Sequence, residues 1–287
     1  MPKLICTVGP QGCGKTTWAK QYMAEHQNTY RVNGDEVRAM AYVGKWNSTK
    51  EDSVNSIQWN SVFGLLKFQA NVIWDNMNLS ESAKTRCIQM AKETDAELVW
   101  QKFDTPIDQC ILNDERRGST IGRAIIENTF LRYGLIDWSE YRDLVIVDLD
   151  GTLTDSKWRA DLYLSGPKKD WASFLARCGE DHANEGVLHW VLELQKFYDV
   201  VAVSGRNAAY WPQTRKAFIS YGFNPKHIFM RGDGDHRPDY QVKNDILAHL
   251  PKEKIVFAID DRPTVIQKVW RANGVKVYDV GGYNESW

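Results

Sequence analysis

At 287 residues, with 36 basic and 37 acidic side chains, the chain has room for two ordinary domains and no net charge that would name a partner. Cut after Arg142, it carries 17 basic and 17 acidic residues before and 19 and 20 after, so neither half has the bulk excess of a protein held to nucleic acid by overall charge, and a local patch gripping a strand end stays open. Five cysteines without a CxxC point to reduced thiols and a cytoplasmic setting, while the lack of an 18-residue apolar run or a signal-peptide pattern in residues 1–20 points away from a membrane.

Leu4–Val8 reads as a buried strand. Gly9-Pro10-Gln11-Gly12-Cys13-Gly14-Lys15-Thr16 follows at once, the G-x-x-x-x-G-K-[ST] phosphate-loop pattern. Gly9, Gly12 and Gly14 let the backbone curl so that its N–H groups face an anion. A helix starting near Lys15, with Thr17 in its first turn, adds its positive end. Lys15 neutralises the β and γ phosphates of a bound nucleotide, and the Thr16 hydroxyl holds Mg²⁺. Next, a short strand at Tyr30–Val32 leads to Asp35 and Arg38, which share a helix face. Spacing alone favours a surface ion pair there over a general base with a phosphate clamp. Residues 44–70, with Trp46, Trp59 and Phe63, read as helices flanking an acceptor groove. A strand at Asn71–Trp74 ends in Asp75, equally suited to supporting Mg²⁺ or capping a helix. Helix 80–93, strand 96–103 and helix 108–115 follow, the last ending in Arg116-Arg117-Gly118. The alternation predicts a mostly parallel sheet wrapped by helices. Residues 130–142 read as a connector, so the boundary is expected near 140: residues 1–140, then 141–287.

The second half opens on Leu144–Val147, a buried strand running into Asp148-Leu149-Asp150-Gly151-Thr152. Carboxylates two apart on extended backbone share a side, which would aim Asp148 and Asp150 into one crevice at a strand end, where open α/β sheets do chemistry. Residues 155–185 break the rhythm and read as a small helical cap carrying Arg159. A helix (186–197) and a strand (199–203) lead to Ser204-Gly205-Arg206, small enough to let a backbone N–H and a hydroxyl approach a phosphoryl oxygen. Helix 214–220, strand 228–230 and a charged loop, 231–238, precede helix 239–250 with Asp239 and Lys243. Strand 255–259 ends in Asp260-Asp261, and strand 275–280 closes the sheet. Singly these are ordinary residues. In this order they suit aspartate-based phosphoryl transfer, with a carboxylate nucleophile, a second acid as proton donor and acceptor, a lysine offsetting charge, and hard oxygen ligands for Mg²⁺.

The blocks from Leu144 to Arg262 resemble the haloacid dehalogenase-like phosphatases, and the first half resembles a small nucleotide kinase. Their fusion in this order resembles the phage-type polynucleotide 5′-kinase/3′-phosphatase family over nearly the whole length. The resemblance implies two α/β domains, a P-loop kinase fold and a Rossmann-like fold with a cap. It implies an end-healing enzyme that phosphorylates 5′-OH termini of RNA or DNA from ATP and removes 3′-phosphates, with 2′,3′-cyclic phosphates open. By residue, Lys15 and Thr16 would bind ATP phosphates and Mg²⁺, Asp35 would be the base, Arg38 would hold the acceptor's neighbouring phosphate and Arg117 would contact ATP. Asp148 would be the nucleophile and Asp150 the acid/base. Arg159, Ser204, Gly205, Arg206 and Asp239 would bind substrate, and Lys243 would assist. Asp148, Asp150, Asp260 and Asp261 would hold the phosphatase metal. The products are what a nucleic-acid ligase needs, and a homo-oligomer is implied. The rival reading is a kinase for a nucleoside or a hydroxylated DNA base, fused to a small-molecule phosphatase.

Overall fold

A computed structural model describes residues 1–42 and 48–281. The chain divides into two compact units, Met1–Thr120 and Ile121–Trp287. Both are α/β, each with a parallel sheet between helices.

The first unit runs β1 (Lys3–Val8), α1 (Lys15–Glu25), β2 (Thr29–Asn33), α2 (Gly34–Ala41), α3 (Glu51–Lys67), β3 (Asn71–Asp75), α4 (Glu81–Thr94), β4 (Glu97–Lys102) and α5 (Ile107–Arg116). Its strands lie parallel in the order β2-β3-β1-β4. Leu4, Ile5 and Cys6 are all buried, because both faces of the sheet are covered. Ala19, Trp18 and Tyr22 of α1 pack on Ile5 and Ile73, while α3 and α4 close over Leu4, Cys6, Val72 and Trp74. β1 is flanked by β3 and β4, so the strand order reverses beside it and a crevice opens at its carboxyl end. The phosphate loop follows there. Of the helices expected over 44–70, α3 is seen, and Trp46 lies outside the described residues.

The second unit runs α6 (Arg123–Arg132), β5 (Leu144–Val147), β6 (Thr154–Asp155), α7 (Lys157–Tyr163), α8 (Trp171–Ala176), β7 (His182–Ala183), α9 (Glu185–Leu194), β8 (Asp199–Asn207), α10 (Trp211–Tyr221), β9 (His227–Arg231), α11 (Asp239–Leu247), β10 (Ile255–Asp260) and β11 (Val277–Asp279). The main sheet is parallel, in the order β11-β10-β5-β8-β9. All four residues of β5 are fully buried at its centre, and the order again reverses beside it. The segment expected as a helical cap contains α7 and α8, but an antiparallel ribbon of β6 and β7 forms its base. Two-residue strands are too short for alternation to reveal.

The contact division falls after Thr120 and not near 140. Helix α6 accounts for the shift, because it is stapled to β9. Glu127 accepts from Ile228 N at 3.0 Å and pairs with His227 Nδ1 at 2.9 Å, while Asn128 donates to the Met230 carbonyl at 2.7 Å. Arg123 donates to the carbonyls of Pro225 and Lys226. This helix was not expected. Ala124, Ile126, Glu127, Thr129, Phe130 and Leu131 are buried around much of its circumference, so its sequence has no one-sided apolar stripe.

Candidate functional site

In the first unit the loop Gly9–Thr16 joins β1 to α1. Gly12 and Gly14 have φ of 78° and 96°, in the left-handed region that favours glycine. A Cβ on Gly12 would sit 2.4 Å from the Cys110 carbonyl, so α5 packs directly on the loop. Asn113 of α5 donates to Gly12 O at 2.8 Å and Thr105 donates to Cys13 O at 3.1 Å. Sequence reasoning missed these braces, which have no motif. Lys15 Nζ curls back to donate to Gly9 O at 3.0 Å. Thr17 is exposed in the first turn of α1. The Thr16 hydroxyl donates to Asp75 Oδ2 at 2.9 Å. Asp75 is buried, and Arg31 Nε also donates to it at 2.7 Å. A hydroxyl and a carboxylate meeting beside an anion cradle are the hard oxygen donors Mg²⁺ takes, so this end of the loop fits a nucleotide and its metal.

Asp35 and Arg38 lie on α2, whose N-terminus is capped by Asn33 Oδ1, accepting from the N–H groups of Asp35 and Glu36. The Asp35 carboxylate is therefore free of capping duty and is exposed. Arg38 Nη1 donates to Asp35 Oδ1 at 2.6 Å, while Nε and Nη2 make a fork onto Glu51 at 2.8 and 2.7 Å. The bonds from Glu51 hold the Arg38 guanidinium firmly charged. Glu51, at the start of α3, was another residue the sequence did not single out. Arg117 caps the C-terminus of α5, half-exposed and paired with Asp114 at 3.2 Å.

In the second unit Asp148, Asp260 and Asp261 present carboxylate oxygens all within 4.8 Å of one another. Lys243 Nζ of α11 donates to Asp148 Oδ1 at 2.7 Å and to Asp260 Oδ2 at 3.0 Å, and Asp239 lies 3.6 Å away. Thr152 donates to Asp261 at 3.0 Å and Trp270 Nε1 to Asp260 at 3.0 Å. Burial opposes the charge on Lys243, but Asp148, Asp239 and Asp260 outweigh it and keep the ammonium protonated. Burial pushes the Asp148 carboxyl up, against the pull of Lys243, and Asp260, Asp261 and Asp239 push the same way. A divalent cation on these oxygens would relieve that repulsion. Asp239 Oδ1 is also buried and has no hydrogen-bond partner among the described residues, with the Arg231 guanidinium 3.5 Å away. The donor set, three clustered carboxylates offering hard oxygen ligands, fits Mg²⁺.

Two glycines make the cluster possible. A Cβ on Gly151 would stand 2.1 Å from Asp261 Oδ2, and one on Gly205 would stand 2.0 Å from Asp239 Oδ1. Ser204 is buried and accepts from Arg206 N at 3.2 Å.

Asp150 departs from expectation as a metal ligand. It is not among the three clustered carboxylates, and it accepts from Arg206 Nε and Nη2 at 2.9 and 2.7 Å and from Arg159 Nη2 at 2.6 Å. The chain leaves the extended form at Leu149, whose carbonyl accepts from Thr152 N at 3.2 Å in a tight turn with Gly151 at a φ of 87°, so the two carboxylates have different partners. Arg159 and Arg206 are fully buried, with their guanidinium groups engaged by Asp150. Both also hold Asp181, buried at the foot of the cap, with Arg159 Nε donating to its Oδ1 at 2.6 Å and Arg206 Nη2 to its Oδ2 at 3.1 Å. Burial opposes ionisation of Asp150, but Arg206 and then Arg159 outweigh it and hold the carboxyl below the usual carboxylate range. Asp181, which sequence reasoning passed over, is pushed up by its burial.

Residues 142–284 match the polynucleotide kinase PNKP phosphatase domain family, and residues 4–132 match an AAA domain family. The chain is a kinase–phosphatase fusion of the PNKP type. This kinase–phosphatase accordingly carries on one polypeptide the two domains of a bifunctional nucleic-acid end-healing enzyme. Among solved structures, a chain of a Pnkp1/Rnl/Hen1 RNA repair complex is 27% identical over 97% of this chain and 96% of that one, with a TM-score of 0.42. The APS kinase CysC of Mycobacterium tuberculosis is 14% identical over 48% of this chain and 77% of its own, with a TM-score of 0.35. A class C acid phosphatase from Bacillus anthracis, with tungstate bound, is 16% identical over 63% and 87%, with a TM-score of 0.36. The AAA match runs to residue 132 and so counts α6 with the first half, whereas its hydrogen bonds place it on β9.

Proposed function

We propose that the enzyme moves the γ-phosphoryl group of ATP to the 5′-hydroxyl of RNA or DNA and hydrolyses 3′-phosphates through an aspartyl phosphate on Asp148. The observation that carries the phosphatase half is Lys243 bridging Asp148 and Asp260 inside the carboxylate cluster. Asp148 attacks phosphorus as the P–O3′ bond breaks, and Asp150 gives its proton to O3′. Water then attacks the aspartyl phosphate, Asp150 takes the proton, and inorganic phosphate leaves. In the resting cluster Asp150 is held as a carboxylate, ready for the base half. A phosphate dianion arriving beside it raises its proton affinity by like-charge repulsion, which supplies the acid half. Asp148, Asp260 and Asp261 would hold Mg²⁺, which screens the dianion from the anionic nucleophile. Arg159 and Arg206 orient Asp150, and Gly205 and Ser204 leave room for the phosphoryl oxygens.

In the kinase half no covalent intermediate is needed, and catalysis rests on positioning and charge. Lys15 and the loop N–H groups of Gly12, Gly14, Thr16 and Thr17 cradle the donor phosphates, and Thr16 with Asp75 would hold their Mg²⁺; Gly9, expected among them, spends its N–H on the Met77 carbonyl at 3.0 Å and serves the turn of the loop. Arg117 reaches the same phosphates. Asp35 takes the proton of the 5′-hydroxyl, and Arg38, locked by Glu51, holds the neighbouring acceptor phosphate. The 5′-phosphate and 3′-hydroxyl made here are a ligase's substrates, and a ligase is the partner we assign. All five cysteines are free and buried, which suits a reducing cytoplasm, and no helix among the described residues is long and apolar enough to cross a membrane.

The test is a 5′-OH, 3′-phosphate RNA and its DNA twin, incubated with ATP and Mg²⁺, with a mononucleoside as competitor and both ends read separately. Phosphate gained at the 5′ end and lost at the 3′ end supports the reading. Transfer to the mononucleoside in preference to the oligonucleotide favours the small-molecule rival.

A further inference from the structure

Among the described residues Trp171 is the exposed tryptophan, at 46% of its full surface, while the others are buried or half-buried. It lies on the cap, at the first position of α8, where Asp170 caps the helix by accepting from Ser173 N at 3.0 Å. Its ring is therefore fixed in direction and not carried by a loose loop. Its inner edge packs T-shaped on Phe174, with centroids 5.7 Å apart. The Phe174 ring in turn lies 4.2 Å from the Arg159 guanidinium, and Arg159 Nη1 donates to the Phe174 carbonyl at 2.7 Å. Arg159 Nη2 reaches Asp150. One line of contacts thus runs from the open tryptophan face to the Asp150 carboxylate. Lys169 Nζ stands 5.9 Å from the Trp171 ring, and Lys168 beside it is exposed.

An exposed indole on a rigid base, with ammonium groups beside it, is what single-stranded nucleic acid uses: a π-face for a base and cations for its phosphates. A free inorganic or small sugar phosphate would gain nothing from it. We infer that Trp171, with Lys168 and Lys169, is a stacking platform on the cap for a nucleobase near the 3′ end of the strand whose terminal phosphate enters the Asp148 site. The inference rests on the phosphatase reading above and adds the feature that would make the site prefer a polynucleotide.

The test compares a 3′-phosphorylated oligonucleotide with p-nitrophenyl phosphate, which reports the same phosphatase centre without a nucleobase. Trp171→Ala is expected to raise KM for the oligonucleotide roughly 5- to 100-fold, the range of one lost base stack, with kcat and the nitrophenyl phosphate reaction unchanged. Trp171→Phe restores most of the affinity, because it keeps a π-face. Replacing Lys168 and Lys169 with alanine flattens the salt dependence of the oligonucleotide KM. If Trp171→Ala slows both substrates together, the residue is structural and the inference fails. If neither changes, or if only self-association changes, the platform is refuted. If the wild-type enzyme hydrolyses neither substrate, the phosphatase reading beneath the inference falls first.

Discussion

Replacing Lys243 with methionine removes the one ammonium from a buried acidic cluster while keeping the volume. Its Nζ lies 2.7 Å from Asp148 and 3.0 Å from Asp260. At an effective dielectric of about 20, each contact near 3 Å corresponds to about 5 kcal/mol of attraction. Desolvation offsets most of it. What remains after substitution is two buried carboxylates without their direct ammonium partner, Arg262 being the cation still near them, a loss of about 3–5 kcal/mol. For a unit of this size that lowers Tm by roughly 10 °C. Mg²⁺ should recover part of the loss, because the freed carboxylates bind a cation more tightly and binding stabilises by mass action. The assay is calorimetry of the full chain with and without Mg²⁺, following the transition of the phosphatase unit. The shift produced by Mg²⁺ should be larger in Lys243→Met than in wild type, with phosphatase turnover down at least ~100-fold and kinase turnover kept. A variant that melts within about 2 °C of wild type in the absence of Mg²⁺, or that gains less from Mg²⁺, would refute this electrostatic account.

Gly205→Ala should abolish phosphatase activity with little loss of kinase activity, since the new methyl would overlap Asp239 Oδ1 and push it off Lys243; steady-state assays of both reactions check it. Asp75→Asn should lower kinase kcat by roughly 10²-fold or more and raise the Mg²⁺ concentration needed for half-maximal rate, because the Thr16 hydroxyl and the metal lose an anionic partner. Asp150 is held below the usual carboxylate range. Its stabilising contribution is therefore full above a pH of about 4 and is lost as pH falls through its lowered folded value. Asp150→Asn should accordingly melt lower than wild type at neutral pH and show a flatter fall of Tm on acidification.

The placement of both candidate sites was legible where backbone geometry and side-chain type constrain each other. Gly9 to Thr16 has one purpose at that spacing, and Asp148, Lys243 and Asp260-Asp261 fall at strand ends or on a helix that parallel pairing must bring together. The supports were not legible. Glu51 and Asp181 act by clamping Arg38, Arg159 and Arg206, and a lone acid in a polar segment looks the same whether it clamps or faces water. Asp150 shows a subtler limit. Its two-residue spacing from Asp148 suggested a shared crevice, but the chain turns from Leu149 onward, and Arg159, nine residues on, and Arg206, 56 residues on, capture its carboxylate. Helix α6 was hidden because burial on several sides erases amphipathic periodicity.

The central claim is that one chain houses two chemically separate phosphoryl-transfer sites. The most direct measurement is a paired assay of Lys15→Ala and Asp148→Asn on one oligonucleotide with a 5′-hydroxyl and a 3′-phosphate, following labelled γ-phosphate at one end and phosphate release at the other. Lys15→Ala should lose only 5′ labelling, and Asp148→Asn should lose only 3′ release, each by at least ~10³-fold. Loss of both activities in either variant, or phosphate release at the wild-type rate by Asp148→Asn, would contradict it.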